Sequence, residues 1–432
     1  MTIIPQPRAK SDKGVKAEEK SSFLARLGPG LITGAADDDP SGIATYSQAG
    51  AQFGLGTLWS LGFTYPLMVG IQLISARIGR VTGHGLAANM RMHYPRLLLW
   101  AVVFLLLVAN VINLAADLSA MGDGATLVFG GEPKVFTAGF GILALLLQIF
   151  VPYKRYVRVL KWLTLVLFSY VAVLFTIEIP WGQVLRAVVI PPLQMKPEYF
   201  TMVVAIFGTT ISPYLFFWQA SQEVEEMRSD PAAKPLTDAP EQARASFLRI
   251  KIDTVFGMGV SNLIAFFIVL TAALSLNARG VTDIHTSAQA AAALKPVAGE
   301  LAFWLFALGI IGTGMLAIPV LAGSAAYAIA GAFNWNASLE DKFDRSRGFY
   351  TVIAVSTLLG IALGFTALDP IKALFWSAVL NGMIAVPVMV VMMLMVANRN
   401  LMGNFAASLP LRVLGWAATC AMALVVGAMF LV

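Results

Sequence analysis

Charge is scarce in this chain. Of 432 residues only 12% are Asp, Glu, Lys or Arg, about half the roughly 25% usual in soluble domains. With 58% apolar residues, a water-soluble globule would have too little polar surface to cover itself. Cys420 is the single cysteine, which excludes an internal disulfide and a thiolate metal centre. Histidine occurs only at positions 84, 93 and 285, too thinly for an imidazole cluster. No nucleophile–base pair and no phosphate loop is present, so neither an enzyme nor a bound cofactor is expected.

What the chain has is apolar length. A run of about 20 apolar residues spans a hydrocarbon core, and eleven such runs recur here, at roughly 29–53, 57–78, 97–121, 136–152, 159–179, 200–222, 253–277, 301–331, 348–367, 371–397 and 410–431. Lysine and arginine concentrate on the cytoplasmic side of such proteins. With the N-terminus inside, the outer side keeps only Lys134, Arg186, Lys196, Arg279, Lys295 and Lys372 of the 30 basic residues. The net charge of +6 therefore reflects topology, not a nucleic-acid partner. The expected location is the cell inner (plasma) membrane, multi-pass, with a cytoplasmic N-terminus. Residues 1–25 are polar and Lys-rich with no apolar core, so they are expected to be a disordered cytoplasmic tail and not a signal peptide. Residues 26–431 form the membrane domain, and the polar stretch 223–251 reads as a linker between its halves.

Two spans break the rules of a membrane helix. The first carries Asp37, Asp38 and Asp39 in succession, then Pro40, Ser41 and Gly42. Each Asp near a helix centre costs about 2.5–3.5 kcal/mol on the insertion scale, and Pro40 removes a backbone donor and disfavours helix at Asp39. The sixth is interrupted by Gly208, Thr209, Thr210, Ser212 and Pro213. These are the leading members of two five-span halves, and matching interruptions point to inverted repeats with a midplane site between them. Repeat one is about 29–179, repeat two about 200–397, and 410–431 is an extra helix. Unwound helices free carbonyl oxygens, which suit hard cations. An anionic substrate would call for Arg or Lys at the site, but no basic residue lies between Gly28 and Gln52 or between Met202 and Gln222.

At these residues the chain resembles the NRAMP family of divalent metal transporters, over about residues 26–431. Gly28-Pro29-Gly30 followed by Asp39-Pro40 is similar to the family's opening. Gln72, Ser75, Ala76, Arg77, Gly79, Val81, Thr82 and Gly83 resemble the end of its second helix, Ala115-Ala116-Asp117-Leu118 a segment of its third, and Asn400-Leu401-Met402-Gly403 the close of its tenth. The resemblance implies an all-α membrane protein of the leucine-transporter type, with two inverted five-helix repeats plus an eleventh helix. It also implies that the Thr209 carbonyl is the backbone ligand of helix six.

The departures are informative. The family's Asp-Pro-Gly-Asn becomes Asp39-Pro40-Ser41-Gly42, so Gly42 stands where an asparagine ligand would. The methionine of helix six is Ser212, its histidines are Tyr214 and Gln219, and an acid of helix three is Ala120. An all-oxygen site suits magnesium, calcium or manganese better than iron, copper or zinc, and in this the chain resembles the magnesium-transporting branch of the superfamily.

The expected function is a secondary transporter moving a divalent cation by alternating access, Mg2+ or Mn2+ favoured, with the ion as substrate and no obligatory protein partner. The alternatives are a proton-coupled Mn2+/Fe2+ importer and an organic-solute (amino-acid-type) carrier on the same fold. The expected cation-binding residues are Asp39, Asp38, Thr209, Ser212 and Gly42. Asp37, Tyr214, Trp218 and Gln219 are vestibule or gate candidates. Asp117 is the candidate proton carrier or a hydrogen-bond partner of span seven or eight, and Asp253 a cap or gate at span seven. Asn381 of span ten faces the site or glues helices. Glu223, Glu225 and Glu226 read as a solvated helix end.

Overall fold

The computed structural model describes residues 29–153, 155, 164–341, 343–366 and 369–431. The tail expected over 1–25 and the beginning of the fifth expected span lie outside the described residues. Span one is two half-helices, α1 (Pro29–Asp37) and α2 (Pro40–Phe53), and span two is α3 (Leu58–Thr82). Then come α4 (Arg96–Phe129), α5 (Pro133–Phe150) and the described end of span five, α6 (Phe168–Leu174). The second half opens with a divided span six, α7 (Pro197–Thr210) and α8 (Pro213–Ser229). It continues with α9 (Ala243–Ser275), α10 (Ala302–Phe333), α11 (Arg347–Gly364) and α12 (Pro370–Ala397), and α13 (Leu409–Leu431) closes the chain.

Among the described residues, nine helical stretches are long and apolar enough to cross a membrane. One of them, Pro40–Thr82, is interrupted by a 3-10 turn at Gly54–Thr57, opened by Gly54 at φ +56°. It thus supplies the second half of span one and all of span two.

Both interruptions use the same local chemistry. Asp39 is extended (φ −69°, ψ 171°) with Pro40 at the first helical position of α2, and Ser212 is extended (φ −80°, ψ 133°) with Pro213 at the first position of α8. Proline is favoured there because that N–H is unpaired in any helix, and an Asp or Ser before it is a good cap. The polar connection is shorter than expected. Helix α8 runs to Ser229 and α9 starts at Ala243, leaving only 230–242 between them. Asp253 therefore lies within α9 and does not cap it.

The divided spans form the middle of the bundle. Helix α9 packs on α1 and α2, α8 on α3, α7 on α12, and α10 on α4. Spans six and eight are largely buried, whereas α5 and α13 are mostly exposed. Exposed Phe104, Leu146, Leu263, Leu359, Leu394 and Leu424 make an apolar outer face, as a lipid-facing surface requires.

Close backbone contact fixes the two breaks in place. A Cβ on Gly34 would lie 2.3 Å from the Gly257 carbonyl oxygen, and one on Gly208 would lie 2.0 Å from the Ala378 carbonyl oxygen. Helix α1 can thus lie against α9, and α7 against α12, only without side chains at these positions. Gly34→Ala should therefore cost on the order of 1–3 kcal/mol, as overpacking does. Thermal melting of the purified protein measures this, and an unchanged midpoint would mean that α1 is free to shift away from α9.

Candidate functional site

The two breaks meet. A Cβ on Gly42 would lie 3.2 Å from Thr209 Oγ1 and 3.4 Å from the Asp37 carbonyl oxygen. The end of α1, the start of α2 and the end of α7 therefore share one small volume. Asp37, Asp38, Asp39, Thr209 and Ser212 are all buried there.

Asp39 is the best-connected side chain of this junction. Its Oδ1 accepts from the Gly42 amide (2.9 Å), capping α2, and from Ser41 Oγ (2.5 Å). Its Oδ2 accepts from Asn113 Nδ2 of α4 and Tyr214 OH of α8, both at 3.1 Å. A carboxylate at a helix N-terminus is also favoured by the helix dipole. Asp37 is placed the opposite way, at the C-terminal end of α1, where the dipole disfavours negative charge. It shares a donor with Asp38: Ser261 Oγ of α9 is 2.6 Å from Asp37 Oδ2 and 3.1 Å from Asp38 Oδ1. One hydroxyl hydrogen cannot satisfy both, and Asp37 Oδ1 has no hydrogen-bond partner at all.

The sixth-span residues are arranged differently from Asp39. Ser212 makes no cap bond to α8. Its hydroxyl turns back onto the carbonyls of Gly208 (2.7 Å) and Thr209 (3.0 Å) at the end of α7. The Ser212 hydroxyl has one hydrogen for these two carbonyls, so the Thr209 carbonyl keeps at least one lone pair for another partner. Tyr214 is buried and bonds Asp39 directly, in addition to reaching the Ala36 carbonyl at 3.3 Å. Trp218 is fully buried, with ring contacts to Tyr153 and Tyr327 and its edge against Gly323.

Several expectations need correction. Asp117 has no hydrogen bond to span seven or eight, since neither of its buried oxygens has a hydrogen-bond partner. The Ser41 amide approaches it outside hydrogen-bond geometry. Glu223 is not solvated: it is buried, accepts from Gln219 Nε2 (3.2 Å) and pairs with Arg249 (2.5 Å). Arg249 also pairs with Glu226 at 2.7 Å. Asn381 is buried, but neither of its amide atoms has a hydrogen-bond partner, so it does not glue helices by that means. The residues missed in the sequence are Asn113, Ser261 and Ser377. Asn113 had a readable signal: Asn110, Asn113 and Asp117, spaced three and four apart, put one polar stripe on an otherwise apolar helix.

The site is latched from both ends. Toward the basic end, Asp253 Oδ2 accepts from the Gly30 amide at 2.6 Å, and Thr33 Oγ1 donates to Gln219 at 2.5 Å. A cavity of about 560 Å3 lined by Arg80, Glu223, Glu226 and Arg249 opens beyond these bonds. Toward the other end, Gln48 of α2 accepts from the Ile284 amide at 2.9 Å and donates to Asp283 at 3.3 Å. Among the described residues, no three Asp, Glu, His or Cys side chains converge on a point that could hold a metal ion. What the junction offers is one well-supported carboxylate, Asp39, beside the less satisfied Asp37 and Asp38 and among neutral hydroxyl, amide and carbonyl oxygens.

A polytopic helical protein with a broken first helix and a broken sixth is a leucine-transporter-type protein: two inverted five-helix repeats and an additional helix. The fold matches such proteins. It superposes on the manganese transporter of Eremococcus coleocola with a TM-score of 0.72 at 18% identity, covering 95% of this chain and 88% of that one. With Mhp1, a nucleobase-cation-symport-1 family transporter, the TM-score is 0.53 at 14% identity, covering 94% and 91%. The chain belongs to the Nramp family, described as natural resistance-associated macrophage protein-like, which matches it over residues 30–432. A relative from Klebsiella pneumoniae (strain 342), the divalent metal cation transporter MntH, is 26% identical over 404 residues, 91% of this chain and 90% of the relative.

Asp253→Ala should loosen α1 alone. In a Cys420→Ser background, a cysteine placed at Ala36 should react faster with a membrane-impermeant thiol reagent applied from the basic side, and no faster from the other. Equal rates with and without Asp253 would remove it from the latch.

Proposed function

We propose that this protein is a secondary transporter carrying a divalent metal cation, Mg2+ or Mn2+ by preference, through alternating access about the Asp39 junction. The observation that carries this reading is the buried carboxylate of Asp39, the best hydrogen-bonded of the three at the meeting point of two broken helices, in a setting whose available metal-binding atoms are all oxygens. Hard cations select such donors, whereas a thioether or imidazole would favour softer ions. Magnesium keeps part of its water shell and often uses one or two carboxylates, which suits a site where Ser212 and Gly42 replace larger ligands. The negative end of α1 and the Asp37–Asp38 pair add attraction without adding a second well-supported carboxylate.

The relatives support the substrate class, since the Klebsiella and Eremococcus proteins are a divalent metal cation transporter and a manganese transporter. Asp38, Thr209, Ser212 and Gly42 are the proposed companions of Asp39, with the Thr209 carbonyl lending a backbone oxygen. Asp37, Tyr214 and Gln219 control entry, Gln219 through its bond to Thr33. Asp117, buried and unpartnered, is the proposed proton-responsive group should transport carry protons. The end that carries the cavity faces the cytoplasm by the distribution of lysine and arginine along the chain, and the membrane is the cell inner membrane. A proton-coupled Mn2+/Fe2+ importer is the second reading, supported as to manganese by the likeness to the Eremococcus manganese transporter.

Asp39→Asn should abolish cation binding in calorimetry and uptake into proteoliposomes while leaving the protein monodisperse. Uptake like that of the unmodified protein would move the site elsewhere. Ser212→Met should shift the ratio of manganese or cadmium uptake to magnesium uptake upward, because sulfur favours the softer ion. A constant ratio would take Ser212 out of contact with the ion.

A further inference from the structure

Asp39 as it stands is occupied by donors. Asn113 Nδ2 and Tyr214 OH point hydrogens at the very oxygen, Oδ2, that a cation would claim. Both repel a positive ion in that orientation. For the cation to be held there, these groups must either withdraw or turn.

Asn113 is placed to turn. Its other amide atom, Oδ1, accepts from Ser377 Oγ of α12 at 2.7 Å. Ser377 Oγ also lies 2.8 Å from the Leu374 carbonyl oxygen. Its single hydrogen can serve either acceptor. If it serves Leu374, the Ser377 oxygen becomes an acceptor toward Asn113. The amide can then rotate by half a turn, donating from Nδ2 to Ser377 and presenting Oδ1 to Asp39. The two amide orientations put heavy atoms in nearly the same places, so packing need not change, and Ser377 loses no hydrogen bond: it donates to Asn113 before the turn, and donates to Leu374 and accepts from Asn113 after it. Tyr214 has the same freedom, because the Ala36 carbonyl lies within reach of its hydroxyl.

We propose that Asn113 is a ligand of the transported cation, its amide rotating on the Ser377 hydroxyl so that Oδ1 faces the ion beside Asp39 Oδ2; this rests on the reading of Asp39 as the cation-binding carboxylate. The spacing suits a small hard ion. After rotation Oδ1 occupies the place of Nδ2, 3.1 Å from Asp39 Oδ2. Neighbouring oxygens of an octahedral magnesium shell are about 2.9 Å apart, given metal–oxygen distances near 2.0–2.1 Å. Asn113 thereby supplies from span three the amide oxygen that Gly42 cannot supply from span one. Without an ion the same side chain is a donor that stabilises the empty carboxylate, so one residue serves both states.

A role as ligand and a role as mere support for Asp39 make opposite predictions for Asn113→Asp. A carboxylate cannot donate to Asp39, but it can bind a cation. Calorimetry on the purified full chain with Mg2+ and with Mn2+ should show Asn113→Leu weakened by about tenfold or more, the loss usual when a metal site loses a ligand or its support. Asn113→Asp should retain affinity within a few-fold of the unmodified protein while melting at lower temperature without cation and regaining that loss with it. Asn113→Asp binding as poorly as Asn113→Leu overturns the proposal. If neither variant at 113 is monodisperse, Ser377→Ala decides: weaker binding supports the rotation, and unchanged affinity overturns it, since the turned amide would have lost its anchor. Absence of binding by the unmodified protein, or binding untouched by Asp39→Asn, overturns the reading of Asp39 and this inference with it. Failure confined to the 113 and 377 variants leaves that reading standing.

Discussion

The hydrogen bonds converging on the Asp39 carboxylate tie three parts of the bundle together. Ser41 and Gly42 bring in the start of α2, Asn113 brings in α4, and Tyr214 brings in α8. A buried carboxylate is tolerable only when its oxygens are satisfied, so the positions of these helices and the charge on Asp39 depend on one another. Pro40 makes this possible. It ends α1 early and leaves the Asp39 side chain free to cap α2.

The glycines explain why the junction is so tight. Gly34 meets Gly257, Gly208 meets Ala378 and Gly382, and Gly42 meets Thr209 and Tyr46. At each, the glycine backbone lies directly against backbone or a side chain of its neighbour, with no methyl group between. In a membrane, helices gain little from apolar burial against one another and much from close packing of small residues. The small residues therefore bring the two breaks close enough to form a single site. Bulkier residues at 34 and 208 would hold the half-helices apart and leave unpaired carbonyls facing nothing.

The membrane fold and both breaks are legible in the sequence because each has a local cause. Apolar length fixes a span, and an acid or serine followed by proline fixes a break whatever the rest of the chain does. The central placement of Asp39 is legible for the same reason. Pairing between distant segments is not. Nothing near Glu223 in the sequence says that Arg249 will meet it, so a buried ion pair reads as a solvated helix end. Asp253 resembles a cap because the apolar run begins beside it, whereas the helix itself begins at Ala243. Its true partner is the Gly30 amide, 223 residues away. Asn113 is legible only in part: the stripe of Asn110, Asn113 and Asp117 marks a polar face on an apolar helix, but it does not say that the two ends of the Asn113 amide will touch Asp39 and Ser377.

The latches give the proposed cycle a physical scale. The basic end is held by Asp253 on the Gly30 amide and Gln219 on Thr33, the other by Gln48 on Ile284 and Asp283. Each is a small set of hydrogen bonds, worth about 0.5–1.5 kcal/mol apiece and up to about 3 where a charge takes part. In the proposed cycle, opening one end breaks its own hydrogen bonds and leaves the other set intact, because α1 and α2 are separate helices divided at Asp39. The two openings then differ by a few kcal/mol at most. A ligand shifts such a balance only as far as its affinities for the two states differ. A cation that reorients Asn113 and Tyr214 acts on α4 and α8 together, the helices against which the half-helices must swing. An uncut first helix would transmit motion at one end to the other, opening both gates or neither. In the proposed cycle, division at Asp39 is thus what allows one end to open while the other stays closed.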